Sequence, residues 1–277
     1  MSLQPDADPQ MRAFLESLGA NEGYAEELFR AYQSNPRAVS DAWRAMFDAV
    51  TQANGHSSAR TDGASQARPL VAARPAVPVL EGDVVQPLRG VAARIAGNME
   101  ASLGVPTATS QRTIPMRLLE ENRRVLNSYL ARRKAKLPMT PIIGWALVRA
   151  AKEFPGMNAA FTEVDGQPAR VDRGHVNFGL AVDVEGRNGQ HSLLVPVVKK
   201  AETLNFAEFM RECDRLIKAA RSGKIAPEDL QGASLSLTNP GTIGTRASVP
   251  RLMPGQGCII AAGAVAYHSG FEGMPEG

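Results

Sequence analysis

Residues 51–87 constrain this chain more than any other stretch, because they are the wrong residues for a core. Alanine, proline, serine, glycine and arginine dominate, as in Ala67-Arg68-Pro69 and Ala73-Arg74-Pro75-Ala76-Val77-Pro78. Such a composition buries too little apolar surface to offset the entropy of ordering it, and its prolines favour an extended, semi-rigid spacer. The stretch reads as a disordered linker. It separates a short leading unit, 1–50, from a larger trailing one, 88–277. The total of 277 residues suits one large domain, or a smaller one with appendages.

The leading unit has a helical pattern. Tyr24, Leu28, Phe29 and Tyr32 recur at helical spacing, as do Val39, Trp43, Met46, Phe47 and Val50. Asn35-Pro36 reads as an N-cap with proline in the first turn, the start of the second of these helices. Two short helices cannot bury so much aromatic surface between themselves. They either dock on another subunit or pack on their own downstream domain. The tether-like stretch that follows favours docking.

From residue 88 onward the pattern is α/β. Helices are predicted over 91–103, from Pro115 onward, from Thr140-Pro141 to Phe154-Pro155, and over 205–220 up to Ser222-Gly223. The second of these carries Leu118, Leu119, Val125, Leu126, Tyr129 and Leu130 on an apolar side. Its outer side is basic: Arg117, Arg123, Arg124, Arg132, Arg133, Lys134 and Lys136. An extended segment is predicted at 107–114, and Asp165-Gly166 reads as a turn between strands. Apolar strands are expected at 176–184 and 193–198, around a polar turn containing Gly186 and Gly189, and finally at 233–238 and 257–266.

One segment carries chemistry in its pattern. Ser236-Leu237-Thr238-Asn239-Pro240-Gly241-Thr242-Ile243-Gly244 reads as a strand running into a glycine-punctuated loop. A hydroxyl fixed at that turning point suits donation to a developing oxyanion. The usual companion, a general-base histidine, does not stand out. His56 lies in the linker, His175 and His191 fall at strand edges or turns, and His268 sits in a polar tail. None has a partner at metal-ligand spacing, so no metal site is expected. Gly241-Thr242-Ile243-Gly244 lacks the lysine and following helix of a phosphate loop. The basic side of the helix after Pro115 is read as a solvated face, with some attraction for the phosphates of a cofactor such as coenzyme A.

Bulk properties remove other classes. Basic residues number 31 and acidic ones 28, a net charge of +3, which leaves no overall nucleic-acid footprint. The two cysteines, Cys213 and Cys258, fall in a helix and an apolar strand rather than in a disulfide framework, which fits a reducing cytoplasm. No apolar run reaches the length of a membrane span, and residues 1–10 lack the apolar stretch of a secretion signal.

A set of blocks, in order, resembles a known family. They are Arg89-Gly90-Val91-Ala92-Ala93-Arg94, Asn98-Met99-Glu100-Ala101-Ser102-Leu103, Val105-Pro106-Thr107-Ala108-Thr109-Ser110, Phe154-Pro155-Gly156-Met157-Asn158 and Thr162-Glu163-Val164-Asp165-Gly166. The loop from Ser236 to Thr245 and Val249-Pro250-Arg251-Leu252-Met253-Pro254-Gly255-Gln256-Gly257 complete the set. Together they resemble the multifunctional 2-oxoglutarate decarboxylase/dehydrogenase family. There a succinyltransferase-like (E2) domain precedes thiamine-diphosphate-dependent dehydrogenase (E1) modules. Phe14-Leu15, Gly19-Ala20-Asn21, Asn35-Pro36-Arg37-Ala38-Val39, Trp43-Arg44 and Phe47 are similar to the N-terminal segment of 2-oxoglutarate dehydrogenase E1 components, a segment associated with attachment to the E2 core.

The resemblance implies a chloramphenicol-acetyltransferase-like fold, a mixed sheet flanked by helices, assembled as trimers with active sites between subunits. It implies transfer of a succinyl group from the dihydrolipoyl thiol to coenzyme A in the citric acid cycle, with Thr238 matching the family's oxyanion-stabilising hydroxyl. Dehydrogenase modules and a lipoyl-bearing protein are the implied partners. Thiamine diphosphate and magnesium belong to the family's downstream modules. The family's Asp-His-Arg-x-x-x-Gly motif is not found in this sequence, and the histidine's role does not transfer to His268. The division implied is 1–50 as the dehydrogenase-type helical segment, 51–87 as linker, and 88–277 as an acyltransferase catalytic domain incomplete at its C-terminus. Such a piece is expected to be weakly active or inactive alone. The competing reading is a non-catalytic scaffold that docks dehydrogenase subunits.

Overall fold

The computed structural model describes residues 9–52, 78–88, 91–133, 135–185 and 191–267. Most of the linker, the turn with Gly186 and Gly189, Lys134, His56 and His268 lie outside these.

Three helices form the leading unit: α1 (Pro9–Ser17), α2 (Glu22–Ser34) and α3 (Asp41–Gln52). Asn35 caps as expected, its side chain accepting from the Arg37 N–H, but what it starts is a 3-10 turn, Pro36–Ala38. Val39 then takes extended angles and is buried, so α3 begins only at Asp41. The Phe47 ring is the hub of the unit. It meets Phe29 at 5.1 Å, Tyr32 and Trp43 at 5.3 Å and Phe14 at 6.4 Å between centroids. Trp43 and Phe47 are 1% and 0% exposed, so these aromatics are not left open for another subunit. Of the two roles weighed for the unit, packing on its own downstream domain is the one seen. The Trp43 indole donates to the Ile225 carbonyl at 2.8 Å, and one apolar core runs from Met11 to Leu237.

The larger unit carries α4 (Val91–Ser102), α5 (Arg117–Ala131), α6 (Met139–Glu153) and α7 (Phe206–Arg221). Its strands are β1 (Ala160–Val164), β2 (Gln167–Val171), β3 (Phe178–Leu180), β4 (Val182–Glu185), β5 (His191–Leu194), β6 (Val197–Val198), β7 (Leu235–Thr238) and β8 (Cys258–Ala261). A four-stranded mixed sheet has the order β6-β3-β7-β8, with β3, β7 and β8 parallel and β6 antiparallel. The antiparallel pairing of β3 with β6 continues into β4 with β5 without a change of register: Phe178 faces Val198 and Val182 faces Leu194. The two expected apolar strands are thus one long hairpin. The β1–β2 hairpin turns on Asp165 and Gly166, both at positive φ, as a two-residue turn requires.

Helices flank the sheet because their apolar stripes match it. On α7, Phe209, Cys213, Leu216 and Ala220 fall on one face and are buried, while Asn205 and Glu208 close a capping box. Phe178 of β3 lies 5.5 Å from the Phe209 ring. On α6, Gly144 lets the helix sit close. A Cβ there would stand 2.6 Å from the Phe178 ring. The apolar side of α5 behaves otherwise. No residue of the helix is buried, and Leu118, Val125, Leu126 and Tyr129 are exposed. β8 is shorter than the expected 257–266, and residues 107–114 form neither strand nor helix. No helix among the described residues is long and apolar enough to cross a membrane.

Candidate active site at the end of β7

β7 places Thr238 as its last residue, half-buried and opposite Ala261 of β8. The Ala262 N–H donates to the Thr238 carbonyl at 2.9 Å, which fixes the backbone at the turning point. The loop beyond is held by contacts that only glycines permit. A Cβ on Gly241 would stand 2.3 Å from the Gly263 carbonyl carbon, and one on Gly263 would stand 2.2 Å from the Arg246 carbonyl oxygen. Gly241 N–H donates to Ala262, Ala264 N–H donates to Thr245, and Gly244 takes the left-handed conformation at φ 86°. The loop is therefore pinned to the segment that follows β8.

Side chains complete the support. Asn239 donates through Nδ2 to the Thr140 hydroxyl at 2.8 Å, tying the loop to the first turn of α6. Ser236 donates to Gln256 Oε1 at 2.9 Å, so this hydroxyl is committed. The Thr238 hydroxyl makes no hydrogen bond to another described residue. Thr242 donates to the Asn239 carbonyl at 3.0 Å, so of the three hydroxyls in the segment Thr238 has the one able to donate to a developing oxyanion.

The two described histidines stand elsewhere. His175 Nδ1 is 2.7 Å from Glu202 Oε1, and Glu202 also accepts from the Val176 N–H at 2.9 Å. Burial raises the Glu202 carboxyl, but these hydrogen bonds outweigh it and leave its pKa below the ordinary value. His175 precedes β3 while Thr238 ends the parallel β7, so roughly 20 Å of strand separates them. His191 pairs with Asp183 at 2.8 Å and faces Glu185, four residues past Ala181, or about 13 Å along the hairpin. Neither reaches Thr238.

Other nucleophiles and anion sites are muted. Burial pushes the Cys213 thiol up to about 12 and the Cys258 thiol up to about 11, so both stay protonated at neutral pH. On the basic side of α5, Arg117 is engaged by Glu121 at 2.9 Å and Arg123 by Glu120 at 4.0 Å. A cleft of about 550 Å³ is lined by Pro106, Phe161, Glu163, Leu252 and Gln256. It opens at the start of β7 and β8, where the Gly257 N–H donates to Ser234, the far end from Thr238. Among the described residues no group of three or more His, Cys, Asp or Glu is placed to hold a metal ion. Sequence reasoning did not find Thr140, Gln256 or Gly263, which lie far from Thr238 or Ser236 in sequence or carry no pattern of their own.

The family model for the catalytic domain of 2-oxoacid dehydrogenase acyltransferases matches residues 81–272. The chain belongs to that acyltransferase family. A second family model, the 2-oxoglutarate dehydrogenase N-terminus, matches residues 17–54. The chain is 50% identical over 207 residues to a multifunctional 2-oxoglutarate metabolism enzyme of Mycobacterium sp. strain JLS, covering 74% of this chain and 16% of that relative. It therefore spans about a sixth of that relative's length. Among solved structures, the dihydrolipoamide acetyltransferase of Azotobacter vinelandii superposes with a TM-score of 0.62 at 25% identity, covering 72% of this chain and 82% of that one. That structure is described as probing a serine, a histidine and an asparagine in its catalytic mechanism. The cubic core of a pyruvate dehydrogenase multienzyme complex superposes with a TM-score of 0.59 at 25% identity over 71% of this chain and 82% of that one. The fold of this acyltransferase, a mixed sheet flanked by helices, is the fold of dihydrolipoamide acyltransferase cores.

Proposed function

We propose that the chain provides the acyl-transfer site of a 2-oxoglutarate dehydrogenase, moving a succinyl group from a dihydrolipoyl thioester to coenzyme A. The coenzyme A thiol, on losing its proton to a base, attacks the thioester carbonyl. Thr238 Oγ1–H donates to the oxyanion of the tetrahedral intermediate. Collapse breaks the old carbon–sulfur bond, and the dihydrolipoyl sulfur takes up the proton. One observation carries the reading: a hydroxyl unbonded to other described residues, at a strand end held by a glycine-locked loop.

The base is assigned to a group outside the described residues, since His175 and His191 are paired with carboxylates away from Thr238. The chain by itself is expected to be a weak catalyst, because the family's Asp-His-Arg-x-x-x-Gly motif is not found in its sequence. An assay of succinyl transfer from succinyl-dihydrolipoamide to coenzyme A tests both parts, with imidazole added as a diffusible base to make the basal rate measurable. Thr238→Val should lower the rate by about 10²–10³-fold and Thr238→Ser should restore most of it. Equal rates for the parent and Thr238→Val would remove the oxyanion role. Fast turnover without imidazole would remove the external base.

We further propose the division into 1–50, 51–87 and 88–277, supported by the 26 residues that fall between the two family matches at 17–54 and 81–272. Dehydrogenase modules with thiamine diphosphate and magnesium, a lipoyl-bearing protein and a trimer-based homo-oligomer are the partners this reading assigns. Two unbridged cysteines support a cytoplasmic site.

A further inference from the structure

A second cleft, of about 540 Å³, lies between α7 and the segment that follows β6. Its α7 wall carries Glu208, Arg211, Glu212 and Arg215, which at spacings of three and four share one face of the helix. Leu204 and Lys199 complete the lining, and Thr238 takes no part in it. Most of the charges are already committed. Glu208 accepts from the Asn205 N–H at 2.9 Å, and Arg215 pairs with Glu212 at 2.6 Å and with Asp229 at 2.7 Å. Arg211 makes no hydrogen bond or ion pair with another described residue, so the cleft keeps a cation for a ligand.

Lys199 is held at both ends. Its backbone is set by the turn after β6: Lys200 takes the left-handed conformation at φ 46°, and its N–H donates to Asn177 Oδ1 at 3.0 Å. Asn177 Nδ2 in turn donates to the Gly232 carbonyl at 3.0 Å. The far end, Lys199 Nζ, donates to the carbonyl of the adjacent Gln231. Burial lowers the pKa of this amine below the ordinary lysine value, against the opposing pull of Asp229. A neutral amine that donates one N–H to a carbonyl still has its lone pair for attack.

We propose that Lys199 is an acylation site that takes its acyl group from a dicarboxylic acyl thioester of coenzyme A, with Arg211 receiving the free carboxylate of that group. The amine attacks the thioester carbonyl, a carbon–nitrogen bond forms and the carbon–sulfur bond breaks. The proton lost by nitrogen leaves on the coenzyme A thiol. The product amide keeps one N–H for Gln231 and replaces a cation with an anion. Succinyl-coenzyme A, the product of the proposed acyl transfer, is such a thioester. Only its supply rests on that reading, because the cleft is separate from Thr238.

Mass spectrometry of the chain incubated at neutral pH with succinyl-coenzyme A or acetyl-coenzyme A tests this, with the exposed Lys152 and Lys224 as internal references. Added thioester makes the labelling independent of the chain's own transfer activity, so failure of one reading leaves the other standing. Lys199 should be succinylated about threefold or more faster than either reference. It should also favour succinyl over acetyl, which has no free carboxylate, by about two- to fivefold after division by the references' own ratio, the worth of an exposed ion pair. Arg211→Ala should remove that preference. Succinylation of Lys199 no faster than that of Lys152 and Lys224 would overturn the proposal. So would a succinyl preference that is absent from the parent or survives in Arg211→Ala.

Discussion

At the residue scale, the loop after β7 depends on two glycines that face one another across strands. Gly241→Ala would set a methyl 2.3 Å from the backbone of Gly263, and backbone cannot swing aside as a flexible side chain does. A loss of about 1–3 kcal/mol in denaturant stability is expected, together with a displaced Thr238 and lower transfer. A second residue-scale effect is acid sensitivity. Glu202 has its folded pKa lowered below the ordinary value of 4.5, so its contribution is complete above that value and is lost as pH falls through the lowered one. Stability curves measured from pH 6 down to about pH 3 should show this loss, and Glu202→Gln should flatten the acid limb. Both features were hidden in the sequence. Gly263 and Glu202 become informative only beside Arg246 and His175, which lie 17 and 27 positions away.

At the element scale, local chemistry was readable wherever an element carries its own signals. α7 shows why: Asn205 and Glu208 close its N-terminus, Lys218 and Arg221 sit in its last turn, and its apolar residues keep helical spacing. Asn205→Ala should cost about 1 kcal/mol in thermal or denaturant unfolding, with Glu208→Ala adding less than its own full effect because the two bonds are reciprocal. The Asp165-Gly166 turn was equally legible, since few residues tolerate two successive positive φ angles. Reading failed where an element's end depends on another element. Asn35-Pro36 was a correct cap attached to the wrong helix, because burial of Val39 delays α3. α5 shows the complementary case. Its pattern is amphipathic, yet Leu118 and Tyr129 remain 71% and 66% exposed.

At the scale of the whole molecule, that open apolar side belongs with the proposed oligomer. A second copy of the chain covering α5 accounts for apolar residues that the single chain leaves in water. Sedimentation velocity should then show species heavier than one chain, and the double variant Leu118→Lys with Tyr129→Lys should shift the distribution toward the monomer. A purely monomeric parent across the micromolar range would remove the assembly. The leading unit makes the opposite point. Its aromatic residues suggested an outside partner, but Trp43 is spent on Ile225 and Asn21 on Val195 within the chain.

The sequence by itself determined most of the helices, though not α1, together with the Asp165-Gly166 hairpin turn and the strand-to-loop signature at Thr238. Those depend on neighbours within a few positions, where backbone preference and side-chain period act directly. Only the tertiary structure decided which hydroxyl of that loop is unbonded to described residues, where the leading helices go, and how the hairpin edge is closed. Asn21 and Val195 are 174 residues apart. A hydrogen bond over that separation leaves no periodic trace in a sequence, because it is selected by the packing of whole elements and not by the residues beside it.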